Sequence, residues 1–229
     1  MSLWERISSV QPAPAAWVVG VTGLAALLVV LNTASWRLAG QVITIAHEGG
    51  HALVSVLSGR RLEGIRLHAD NSGVTYSRGR RRGSGLVLTA SAGYVTPSLL
   101  GAGAAALLAT RHQTALLWLA LLLLAATFLA VRNAFGALAV LATAAAVSAV
   151  SYYASAGVQA GFAYLAAWFL LLGGMRPALE LTRQRSRRGA RSDADQLARL
   201  TGVSRNVWVA AFLLVCTAAL ALGTRLLIP

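Results

Sequence analysis

Long apolar stretches, closed off by arginine-bearing segments, constrain this chain more than any other feature. A helix rises about 1.5 Å per residue and a bilayer's hydrocarbon core is about 30 Å thick, so roughly 20 apolar residues mark a span. Seven stretches qualify, at residues 16–34, 36–58, 85–109, 114–131, 134–153, 158–176 and 207–227. Little more than Ser35 separates the first two, which requires a tight hairpin there. Between the fifth and sixth, Tyr152 to Gly157 reads as an interfacial aromatic pair and a turn. The predicted fold class is an all-α multi-pass membrane protein of about seven transmembrane helices. Residues 1–229 are expected to form a single integral membrane domain.

Charge supports this and gives it a direction. Charged residues are only 12% of the chain against 57% hydrophobic, whereas a soluble domain carries about 25% charged residues. All 20 basic residues are arginine, and the formal net charge is +13. The arginines sit between apolar runs without aromatic interleaving, so no nucleic-acid partner is expected. Placing loops 59–84 and 177–206 in the cytoplasm leaves only Arg37, Arg111 and Arg225 outside. With seven spans, the N-terminus is then cytoplasmic and the C-terminus external. The block Arg183 to Arg191 repels itself, and anionic lipid head groups are its expected neighbours. The first apolar run exceeds a signal-peptide core of about 7–15 residues and reads as a retained span. Cys216, the single cysteine, lies in an apolar run and reads as a small buried hydrophobe.

Two insertions break the helical pattern. In 59–84, Leu62 to His68 alternates in part, Ala69 to Gly73 is rich in turn formers, and Val74 to Ser77 can return as a strand. This predicts a small cytoplasmic β-hairpin, with a solvated basic loop as the competing reading. In 177–206, a short helix is expected over Asp195 to Leu200.

Within the second apolar stretch stands His47-Glu48-Gly49-Gly50-His51. Residues four apart on a helix share a face, so the two imidazoles can offer nitrogens to one tetrahedral Zn²⁺. Glu48, one step round, stays off the metal and can serve as the catalytic base. Ionisable groups at membrane depth cost about 2.5–3.5 kcal/mol each on insertion scales, and a metal ion is a compensating partner for three of them. Gly49 and Gly50 permit a close approach, by a neighbouring helix or by a substrate backbone.

The motif and the hairpin-like insertion after it resemble the site-two protease family of intramembrane zinc metalloproteases. The likeness is closer to a bacterial and plant branch, whose Ala-Gly-Tyr and Ser-Asp-Ala segments match Ala92-Gly93-Tyr94 and Ser192-Asp193-Ala194. It covers roughly residues 36 to 205. It implies a bacterial plasma membrane, a membrane-protein substrate, and hydrolysis of a peptide bond in or near that partner's transmembrane segment. The alternative is an inactive membrane adaptor or chaperone that keeps the metal-site fold. The wider family takes its third ligand from a Leu-Asp-Gly segment, which this sequence lacks. Of its seven acidic residues, Asp193, Asp195 and Glu180 remain as candidates. Asp193 lies in the matching segment and is the expected ligand, with a helix N-cap as its other reading. Asp195 is the reserve, otherwise a favourable charge in the first helical turn. Glu180 reads better as a side chain that snorkels to the interface beside Arg176 and Arg183. His68 and His112 read as surface histidines, Asn133 as an interfacial cap or a donor to a substrate carbonyl. Trp36, Trp118, Trp168 and Trp208 read as interface anchors.

Overall fold

The computed structural model describes residues 9–183 and 192–228, together with Glu5 and Ile7. Most of the arginine block, 184–191, lies outside the described residues. In chain order the elements are α1 (Ala16–Leu31), α2 (Thr33–Leu57), β1 (Arg61–Leu67), β2 (Gly73–Arg78), α3 (Ser84–Ala109), α4 (Gln113–Ala130), α5 (Ala134–Tyr153), α6 (Ala156–Arg183), α7 (Asp193–Thr201) and α8 (Arg205–Leu227).

Five of these helices, α3, α4, α5, α6 and α8, are each long and apolar enough to cross a bilayer. The expected tight hairpin between two further spans is instead a corner: α1 and α2 meet at 103°, and taken as one broken span they raise the count to six. Asn32 makes the corner. Its extended backbone ends α1, and its side-chain oxygen accepts from the Ala34 and Ser35 amides to cap α2. Arg176 holds the corner from α6. Its guanidinium lies 4.5 Å above the Trp36 ring, donates to the Val30 carbonyl, and pairs with Glu180 at 3.1 Å. Trp36 and Trp168 pack within the bundle, Trp168 against Gly23 of α1.

The path of α1 fixes where the described chain enters the bundle. Val18 lies near Gly161, Gly23 against Trp168 and Val30 at Arg176, so α1 runs parallel to α6. Just before α1, the Gln11 amide donates to the Arg111 carbonyl at 2.9 Å, at the α3–α4 junction. That junction lies at the opposite end of α3 from the hairpin. Helix α8 runs antiparallel to α6, from Arg205 at Leu181 to Gly223 at Leu171. Both ends of the described chain thus lie at the end of the bundle remote from the hairpin.

The hairpin exists, antiparallel with Ile65 opposite Thr75 and Leu67 opposite Gly73. Asn71 turns it at φ 62°, and the Asp70 carboxylate accepts from the Ser72 amide and hydroxyl. It does not project as a peripheral loop. Its turn folds back along α2: Thr44 donates to the Asn71 carbonyl at 2.9 Å, and the Asn71 amide to the Trp36 carbonyl at 3.2 Å. The outer edge of β1 is also paired. Arg132 donates its backbone N–H to Ile65 at 2.8 Å, and the Asn133 side chain both donates to the Leu67 carbonyl and accepts from its amide. Asn133 holds the N-cap position of α5, but its side chain makes no cap hydrogen bond and pairs with β1 instead. Ile65 and Leu67 are fully enclosed. Enclosure and edge pairing are what non-helical backbone needs inside a membrane protein.

Candidate metal centre

His47 and His51 stand one turn apart on α2, with Nε2 atoms 3.2 Å from one another. Asp193, the first residue of α7, brings its Oδ2 to 3.3 Å from His47 Nε2 and 3.1 Å from His51 Nε2. Among the described residues, these three form a group that could hold a metal ion. His51 Nδ1 lies 2.6 Å from the Thr89 carbonyl of α3. A carbonyl only accepts, so Nδ1 carries the proton and Nε2 turns its lone pair toward the centre. The Tyr94 ring meets His47 edge-on at 4.8 Å and stacks on Phe212 of α8 at 5.2 Å.

Asp193 is free for this position because its neighbours cap the helix. Ser192, not Asp193, is the N-cap of α7. The Ser192 hydroxyl accepts from the Asp195 amide while the Asp195 carboxylate accepts from the Ser192 amide, forming a capping box. Asp195 also pairs with Arg205 of α8 at 3.3 Å. The reserve candidate is thus committed to structure, as Glu180 is to Arg176. His68 and His112 are remote from the centre, each bonding locally to a hydroxyl.

Glu48 is buried but lies outside the group of three. Its Oε2 accepts from the Thr75 hydroxyl of β2 at 2.7 Å. A Cβ on Gly73 would sit 2.6 Å from Glu48 Cγ, so only glycine lets β2 lie this close. A Cβ on Gly93 would overlap both imidazole Nε2 atoms, and one on Gly50 would overlap Thr96 of α3. Sequence reasoning missed Gly93, Thr89 and Thr75 as site residues. The strand period offered one signal, since Gly73 and Thr75 must share a face of β2.

A family model described as peptidase M50B-like matches residues 20–223. The chain belongs to that family. As an M50B-like, site-two-protease-type chain with at least five membrane-length apolar helices, it is an integral membrane protein, and at family level a membrane metallopeptidase. No curated protein and no solved structure matches it.

Proposed function

We propose that this chain is an intramembrane zinc metalloprotease that hydrolyses a peptide bond in or near a transmembrane segment of a partner protein. The observation that carries the reading is the convergence of His47, His51 and Asp193. Zinc–nitrogen and zinc–oxygen bonds of about 2.0–2.1 Å give a tetrahedron with edges of about 3.3 Å. The three donor atoms stand 3.1–3.3 Å apart. The set suits zinc chemically, and a closed triangle leaves a fourth position open. The missing Leu-Asp-Gly, which made an inactive adaptor the alternative, loses its force because Asp193 offers a carboxylate in its place.

Zinc there would supply Lewis-acid chemistry, polarising the scissile carbonyl and acidifying a water. Glu48 takes the proton of the attacking water and returns it to the leaving amine. Thr89 fixes His51 through Nδ1, and Tyr94 packs against the face of the site beside His47. The substrate helix must unwind before attack, and the exposed side of β2 offers a strand edge that could hold it extended. Arg60, Arg61, Arg78 to Arg82 and Arg132 gather at the hairpin end, which we take as cytoplasmic and apposed to anionic head groups. Both termini then face outward.

The test uses purified protein in lipid nanodiscs and a labelled single-span reporter whose transmembrane segment carries helix-breaking Gly and Asn. Wild type cleaves it. Glu48→Gln keeps its zinc and loses roughly 10²- to 10⁴-fold in rate. Cleavage undiminished in Glu48→Gln would remove the assigned base.

A further inference from the structure

We propose that Thr75 is a positioning residue for the catalytic base, so that the hairpin sets the orientation of the Glu48 carboxylate. The inference rests on the metalloprotease reading and adds a residue to it. Three observations support it. The Thr75 hydroxyl donates to Glu48 Oε2 at 2.7 Å and also lies 3.1 Å from the Glu48 backbone carbonyl, seating it on both parts of the residue. Gly73, on the same face of β2, lets the strand close over the Glu48 side chain, since a Cβ there would come within 2.9 Å of Glu48 Cγ, Cδ and Oε1. Finally, β2 is not free to drift. Thr75 is opposite Ile65, whose carbonyl accepts from the Arg132 amide, and Leu67 opposite Gly73 is gripped by Asn133.

A carboxylate carries two oxygens, and a base needs only one of them for the water. Thr75 engages Oε2, which leaves Oε1 for the proton. The flexible Glu side chain would otherwise sample several rotamers about three torsions. Holding it in one of them keeps the base aligned with the attacking water, and small misplacements of a reacting group can cost up to about 10²-fold in rate.

The test compares wild type, Thr75→Val and Thr75→Ser. Valine matches threonine in shape and lacks the hydroxyl, while serine keeps it. Zinc-loaded proteins in nanodiscs are measured for kcat and KM on the labelled single-span reporter. The affinity of acetohydroxamate, which also hydrogen-bonds to a neighbouring base carboxylate, is read separately, with Glu48→Gln alongside. Thr75→Val should lower kcat by roughly ten- to a hundredfold with KM and zinc content unchanged. It should weaken acetohydroxamate nearly as much as Glu48→Gln does, and Thr75→Ser should restore both. Wild-type kcat and hydroxamate affinity in Thr75→Val would overturn the proposal. So would faster cleavage, which would make the contact an inhibitory latch, or a change confined to KM, which would assign Thr75 to substrate binding. A wild type that neither cleaves the reporter nor binds acetohydroxamate better than His47→Ala would instead defeat the metalloprotease reading itself.

Discussion

At the scale of single residues, the centre depends on groups whose neighbours have taken over competing roles. Ser192, Asp193 and Asp195 can all cap a helix, so sequence left Asp193 ambiguous. The structure resolves this by assigning the cap to Ser192 and Asp195. The pair His47 and His51 was legible because a four-residue helical spacing is local. The approach of Asp193, 142 residues from His51, was signalled only by the resemblance of Ser192-Asp193-Ala194 to the family segment and not by any local spacing. Gly93 illustrates a requirement that only packing reveals, because its hydrogen occupies the place where a methyl would strike both imidazoles. Gly93→Ala should leave the helix intact, alanine being the better helix former by about 1 kcal/mol. It should nonetheless cut zinc occupancy severalfold, as read by elemental analysis beside far-ultraviolet circular dichroism. Full occupancy in that variant would show that the helices can separate at no cost to the site.

At the scale of elements, the hairpin is the piece that links distant parts of the chain to Glu48. Its strands could be read from alternation and its turn from Ala69 to Gly73. Its destination could not, because the groups that hold it come from α2 and from the α4–α5 junction. Asn133 matters most, pairing with both backbone groups of Leu67 across 66 residues. Asn133→Ala leaves a buried N–H and C=O without partners, each costing about 1–3 kcal/mol. Amide exchange across 62–77 should therefore accelerate while α3 and α6 keep their protection. Unchanged exchange there would mean that the α2 contacts alone hold the hairpin. The α1–α2 corner offered a sequence signal that went unread: Asn32 is a polar N-cap residue inside an apolar run.

At the scale of the whole molecule, the 103° corner between α1 and α2 bears on the parity of the fold. If α1 and α2 together make one broken span beside the five straight ones, the crossings number six and the chain returns to the side from which it started. Reporters fused before α1 and after α8 should register on the same side, and one inserted near Arg81 on the other. Reporters at the two termini on opposite sides would restore seven crossings. The apolar stretches made the membrane class legible, but hydropathy is blind to a 103° turn between two helices. The same arrangement brings α7, late in the chain, against α2, early in it, and the proposed activity depends on that meeting. Zinc content per chain in protein purified with its lipid, wild type beside Asp193→Asn and Asp195→Asn, tests it most directly. About one zinc is expected in wild type and in Asp195→Asn, as three ligands with one open position imply, and a small fraction of that in Asp193→Asn with the protein still folded. Zinc retained in full by Asp193→Asn would contradict it.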